Sequence, residues 1–164
     1  MKYPWGKVFK CEDEWKGRND VWKRFVELGE DLGKELKKAK EVGGKDEKRL
    51  KLKIGKGMLP AIPETAEFVL RPVSSKLQRG SVVIFSQKCY DHKNSANSLV
   101  FGVARVVGLP KEKVVNQLKS KTVKIRRKSF YLVGDNKEEA VDSRDFGPVH
   151  KSRLICEVQL VEDL

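Results

Sequence analysis

The feature that most limits the fold of this chain is a series of short β-branched runs between turn residues, beginning near Leu52. The runs cover residues 68–70, 82–85, 100–107, 123–125, 130–133 and 154–161. Turn residues punctuate them at Gly80, at 108–110, at 134–136 and at 147–148. Strands of this length at this spacing indicate a mainly β fold, either a barrel or a coiled sheet.

An amphipathic helix is predicted before the β-rich part, over residues 18–41. Apolar residues recur there at three- and four-residue steps, namely Trp22, Phe25, Val26, Leu28, Leu32, Leu36 and Ala39. Gly29 and Gly33 weaken this helix, so packing must supply part of its stability. We expect it to cover the domain or dock on a partner; binding to a membrane surface is the alternative. The chain thus divides into a charged N-terminal extension (1–50) and a β domain (51–164).

The net charge is +12 over 164 residues. Such an excess attracts polyanions such as RNA or anionic lipid, although a lysine-rich solubilising surface is an equally good interpretation. Residues 111–128 hold eight lysines or arginines against one acid, Glu112. If this stretch is a strand, alternate cations share one face; the competing interpretation is a solvated hairpin. The candidate phosphate-facing residues are Lys119, Lys121, Lys124, Arg126, Arg127 and Lys128.

Three cysteines, Cys11, Cys89 and Cys156, lie far apart, and the two histidines are His92 and His150. No pair has a metal-ligand spacing, so we expect neither a metal site nor another cofactor. Sparse cysteines favour a reducing compartment and buried or idle thiols.

Membrane and targeting signals are weak. No run approaches the roughly 20 apolar residues that span a bilayer, so no integral span is expected. The first ten residues lack a signal-peptide apolar core, and acids follow at 12–14. We therefore expect import by another route, or a presequence outside this sequence.

Four segments, in order, resemble the signature boxes of type I signal peptidases, especially the mitochondrial inner membrane peptidase branch. The most specific is 134–149, GDNKEEAVDSRDFGPV, which is similar to the family's GDNxxxSxDSRxFGPV. Residues 105–110 (RVVGLP) resemble KRVVGLPGD, and 80–85 (GSVVIF) resemble GDIVVF. Residues 54–62 (IGKGMLPAI) are similar to GxSMxPTL. The resemblance covers roughly 52–160 and implies a signal-peptidase-like coiled β-sheet or barrel domain.

That family cleaves peptides with a Ser-Lys dyad, in which a lysine amine accepts the proton of the attacking serine. By this resemblance the nucleophile position is Gly57, the base position is Ala104, and the position of the lysine-orienting serine is Ala140. Ser81 and residues 111–112 depart from the family pattern as well. With all three groups missing, the resemblance predicts an inactive pseudoenzyme rather than an enzyme.

The remaining box residues are expected to be architectural, with Asp142 and Arg144 forming a fold-stabilising contact. These residues are Met58, Pro60, Gly134, Asp135, Asn136, Asp142, Ser143, Arg144 and Gly147. No Ser-His or Cys-His spacing stands out as a replacement, and Lys56 should project away from the site.

The leading hypothesis is a structural subunit of a large protein or ribonucleoprotein assembly in an organelle of bacterial ancestry. The mitochondrial ribosome, with rRNA as partner, is the best single candidate, in the matrix or at the matrix face of the inner membrane. No small-molecule substrate is expected. The alternatives are a non-catalytic subunit of an inner membrane peptidase, a subunit of another mitochondrial complex, and an enzyme with an unrecognised nucleophile.

Overall fold

The computed structural model describes residues 19–42, 48–91, 95–116 and 118–164. Helix α1 (Asn19–Val42) comes first, and the short helix α2 (Ser143–Phe146) follows the seventh strand. The strands are β1 (Lys48–Lys53), β2 (Thr65–Arg71), β3 (Val82–Asp91), β4 (Ala96–Gly108), β5 (Lys113–Asn116), β6 (Lys121–Lys124), β7 (Ser129–Val133), β8 (Val149–His150) and β9 (Leu154–Leu160). Two single-turn 3₁₀ helices, Lys151–Arg153 and Val161–Asp163, flank β9.

Seven strands form one antiparallel sheet in the order β1-β2-β9-β3-β4-β7-β8. Strands β5 and β6 form a separate hairpin in the connection between β4 and β7. Strand β1 is therefore at one edge of the sheet, whereas the hairpin is inserted between strands near the other edge.

The mainly β fold with an N-terminal helix agrees with the sequence prediction, and each of the six predicted runs overlaps a strand. Three strands were missed, β1, β5 and β8. In β1, KRLKLK, the core contribution is confined to Leu50 and Leu52, and lysines occupy most other positions. Because lysine is depleted in strands, only the tertiary partner reveals this one.

Helix α1 packs on the sheet through its apolar stripe. Trp22, Val26, Leu32 and Leu36 are all buried, and the last two share a core with Met58. The side chain of Ala39 lies outside the described part. The helix thus contributes to the same core as the strands.

The glycines of α1 allow a close approach to β4. A Cβ added at Gly29 would lie 2.8 Å from the carbonyl oxygen of Phe101 and 2.8 Å from Cβ of Val100. A Cβ at Gly33 would lie 2.7 Å from the Phe101 ring. Gly29 therefore costs helix propensity but permits backbone-level packing that no larger residue allows.

We predict that Gly29→Ala destabilises the protein. Helix propensity alone would stabilise it by about 1 kcal/mol, but the added methyl meets backbone, so α1 must shift off β4. Urea unfolding measures the sign. Lys34→Ala, at an exposed helix position, is the control and should change stability little. A more stable Gly29→Ala protein would contradict the packing argument.

Candidate functional site

The segment after β1 is held in place by the loop after β7. The carbonyl oxygen of Gly57 accepts a hydrogen bond from the Asn136 backbone N–H at 2.9 Å, and the Asn136 Nδ2 donates to the Lys56 carbonyl at 3.1 Å. Met58 is 1% exposed and anchors the segment in the core. Two boxes about 80 residues apart in sequence are thereby joined.

Two of the three positions that the resemblance assigns to catalysis lie together. A Cβ added at Gly57 would lie 3.6 Å from both Cα and Cβ of Ala140, which is ordinary van der Waals contact. Ala104 is 1% exposed and is buried with Val83 and Phe85 in a core cluster that includes neither of the other two positions.

Arg105 joins two further boxes. Its Nε and Nη2 donate to the two carboxylate oxygens of Asp135 at 2.9 and 2.8 Å, and its Nη1 donates to the Gly80 carbonyl at 2.9 Å. The hydrogen bond with Asp135 raises the pKa of Arg105. This bidentate geometry fixes the β4 strand against the loop at 134–136.

Residues 142–147 form a capped helical turn. Asp142 is the N-cap of α2, and its side chain accepts from the Arg144 backbone N–H while the Asp145 side chain accepts from the Asp142 N–H. The Ser143 hydroxyl oxygen accepts from the Leu132 N–H at 2.9 Å. Gly147 ends the turn at φ 87°, a conformation that favours glycine. The capping box explains why the DSR residues are polar although they are buried.

Asp142 and Arg144 form an ion pair that is almost fully buried, with exposures of 0% and 4%. Arg144 Nε and Nη2 contact the two oxygens of Asp142 at 2.9 Å. The carboxylate also accepts from the Gly134 N–H, and Nη2 donates to the Lys137 carbonyl. Burial by itself lowers the pKa of Arg144, but the hydrogen bond and charge of Asp142 outweigh it and raise the pKa. The guanidinium is therefore held charged, and the hydrogen bonds of the pair go to other groups of the fold.

Tyr131 lies beside this ion pair and is 2% exposed. Burial raises the pKa of its phenol to about 12, with the negative charge of Asp142 adding to the effect. Within the described residues its hydroxyl has no hydrogen-bond partner.

A cavity of about 360 Å³ lies between α1 and the segments that carry Gly57 and Ala140. Phe25 and Leu28 of α1 line it from the helix side. The Arg24 Nη2 bonds the Glu139 carboxylate at 2.7 Å, which ties the helix directly to the residue before Ala140. The sequence patterns named Phe25 and Leu28 only as helix core residues and did not point to the Arg24–Glu139 pair.

Comparison with known families matches residues 111–162 to the family described as signal peptidase, peptidase S26. This match supports a relationship to the type I signal peptidase family. It includes the 134–149 box, whereas the boxes at 54–62, 80–85 and 105–110 precede it. No curated protein matches the chain.

The basic stretch of this signal-peptidase-like domain does not follow the predicted alternation. Strand β6 ends at Lys124, and Ile125 is fully buried. Lys128 adopts φ 59° in a turn, so the strand that the shared-face interpretation required does not continue past Lys124. The stretch instead contains a hairpin, as the competing interpretation had it. Lys121, Lys124 and the three cations at 126–128 are exposed.

Lys119 is exposed like the others, but its Nζ donates to the Asp145 carbonyl at 3.0 Å. It helps to attach the hairpin to α2, as does Asn116, which donates to the Arg144 carbonyl at 2.9 Å. Part of the expected phosphate-facing set is thus used within the fold.

One Ser-His contact was not expected from the sequence. The Ser152 hydroxyl lies 2.8 Å from Nδ1 of His150, on the exposed surface. The same nitrogen accepts from the Ser152 backbone N–H and caps the following 3₁₀ turn. His92 and Cys11 lie outside the described residues, and Cys89 and Cys156 are buried.

Within the four described ranges, neither helix is long and apolar enough to cross a bilayer. The same residues contain no group of three or more side chains placed to hold a metal ion.

We predict that Gly57→Ser is tolerated and that Gly134→Ala is not. The first adds a Cβ 3.6 Å from Ala140, but the second places one 2.8 Å from the Gly57 carbonyl oxygen and against the Ala140 methyl. Gly134→Ala must move backbone and should lower the midpoint of urea unfolding clearly, whereas Gly57→Ser should shift it little. Equal shifts for the two variants would contradict the described packing.

We predict that Tyr131→Phe reduces the loss of stability in alkali. The phenol ionises near pH 10 in the unfolded chain but near pH 12 in the fold, so the unfolded state loses its proton first. The stability therefore falls as the pH rises from about 10 toward 12. Phenylalanine has no ionisable hydroxyl, so it removes this pH-dependent loss of stability. Urea unfolding at about pH 8 and pH 10.5 measures the difference, with Tyr90→Phe as the control. An unchanged alkaline loss in Tyr131→Phe would count against this explanation.

Proposed function

We propose that this chain is a catalytically inactive signal-peptidase-like protein that serves as a structural subunit of a large organellar assembly, most simply the mitochondrial ribosome. The observation that carries the proposal is the chemistry of the site. Gly57 has no side chain, and the methyl groups of Ala104 and Ala140 can neither accept a proton nor orient a base.

Within the described residues, the contacts around Gly57 support the absence of a replacement dyad. The heavy atoms nearest to a Cβ added at Gly57 are Cα and Cβ of Ala140 and the backbone oxygen of Glu139. The hydroxyl oxygen of Ser143 accepts a hydrogen bond from the Leu132 N–H, and the Lys56 side chain is exposed. The His150–Ser152 contact is a local cap, and neither residue lines this cavity.

Helix α1 also covers the site. It packs on β4 at the distance that Gly29 and Gly33 allow, and the Arg24–Glu139 pair fastens it beside Ala140. The helix thereby forms one wall of the cavity beside Gly57 and Ala140.

The exposed cations of the β5–β6 hairpin and the following turn suit contact with rRNA phosphates. Lys113 pairs with Lys124 across the hairpin, and Val115 pairs with Thr122 on the same outer face. Val115 is 66% exposed, so this face presents lysines around an apolar residue. Charges of one sign on neighbouring strands attract phosphates without reading sequence.

We predict that the full chain binds RNA with an affinity that falls steeply with salt. Lys124→Glu should weaken binding of a labelled single-stranded RNA and reduce the slope of log affinity against log salt by about 0.7, the contribution of one contact to a single strand. Fluorescence anisotropy between about 50 and 200 mM salt measures both quantities. Lys76→Glu, an exposed lysine outside the hairpin, is the matched control. Affinity indifferent to salt would contradict the proposal.

The signal peptidase match favours a second candidate, a non-catalytic partner of an active inner membrane peptidase. Sedimentation of a cell extract separates the two. Migration with ribosomal particles supports the first candidate, whereas co-migration with peptidase activity supports the second.

A further inference from the structure

An open groove of about 650 Å³ runs between α1 and the edge strand β1. It adjoins the cavity at Gly57, with which it shares Asp31 and Lys53. Leu52, which is buried, forms part of its floor. The five lysines that line it are Lys34, Lys37, Lys38, Lys51 and Lys53.

These lysines form two rows. Lys34, Lys37 and Lys38 are three and four residues apart on α1, so they lie on one helix face. Lys51 and Lys53 are two residues apart on β1, so they lie on one strand face. Long aliphatic stems give the groove apolar walls while the ammonium groups reach its rim.

Acidic residues compensate this charge only in part. The groove contains two, Asp31 and Glu35, and Glu35 lies 3.5 Å from the Lys38 ammonium. Glu67 lies opposite Lys51 in the strand register but does not line the groove. In the described part of the chain, none of the other four lysines has a carboxylate within ion-pair distance.

Holding several like charges on two packed elements raises the free energy of the free protein. An anionic polymer lying along the groove would relieve that repulsion and release its own counterions. A strand of phosphates suits a concave site between two rows of cations.

We propose that the α1–β1 groove binds the phosphate backbone of an RNA strand, as a second contact that is separate from the β5–β6 hairpin. This inference rests on the proposed function, which makes RNA the polyanion. Because β1 is at one edge of the sheet and the hairpin lies near the other, the chain bridges two RNA segments.

A membrane surface fits the groove less well. Binding in the plane of a bilayer uses exposed apolar side chains beside the cations. The large exposed apolar residues in the described ranges are Leu99, Val107, Val115, Leu118 and Leu164, and none of them lines the groove.

The test compares three variants of the full chain by anisotropy with a short fluorescein-labelled single-stranded RNA. The groove variant is Lys34→Glu/Lys53→Glu, and the hairpin variant is Lys124→Glu. The control is Lys23→Glu/Lys76→Glu, which makes the same charge change as the groove variant at exposed positions outside both surfaces. The groove variant should lower the slope of log affinity against log salt by about 1.4, from two lost contacts at about 0.7 each for single strands. The control should keep the wild-type slope.

The outcomes separate the two proposals. If wild type does not bind RNA in a salt-dependent way, the proposed function and this inference both fail. If the hairpin variant loses affinity but the groove variant matches the control, the groove assignment alone is overturned. Loss of binding to phosphatidylserine vesicles, with RNA binding at the control level, would reassign the groove to anionic lipid.

A folding check keeps the result interpretable. Circular dichroism melting shows whether each variant retains the fold, and Lys34→Gln/Lys53→Gln replaces the glutamate version if that one unfolds. The glutamine variant should still lower the slope by about 1.4, since the same two cations are lost.

Discussion

The buried ion pair between Asp142 and Arg144 is the interaction on which the rest of the site depends. It reaches the backbone at Gly134 and Lys137, so one pair sets the path of the whole 134–147 loop. Such a pair adds little net stability compared with apolar packing, but losing one partner costs about 3–5 kcal/mol because the other charge stays buried. The pair therefore acts as a constraint on conformation. Asn136, in the same loop, bonds the segment at Gly57.

The consequence is a framework around Gly57 whose geometry does not depend on reactive side chains. Hydrogen bonds from Asn136 hold the Gly57 segment, and Arg105 holds the loop to β4 through Asp135. These contacts use backbone atoms and architectural side chains, so they are indifferent to what residues 57, 104 and 140 carry. The framework therefore forms without a hydroxyl or an amine at those positions, which is compatible with the structural role that we propose.

Helix α1 shows where local and tertiary preferences conflict. Gly29 and Gly33 lower its intrinsic stability, and the sequence pattern alone counts them as weaknesses. In the fold they are the points of closest contact with Phe101 of β4. The aromatic contacts continue inward from Trp22 to Phe25 and from Phe25 to Phe85. The free energy of packing against β4 therefore offsets the low helix propensity of these two glycines.

The sequence by itself determined the β class, the bounds of α1 to within one residue, and the polar character of the DSR turn, because these follow from local periodicity and capping chemistry. It missed β1, β5 and β8, and it left open whether the basic stretch forms one strand or a hairpin. Only the tertiary structure decided that Lys119 bonds the Asp145 carbonyl, and that lysines of α1 and β1 line one groove. Those facts depend on which distant segments meet, and contacts between distant segments leave no periodic signal in the chain.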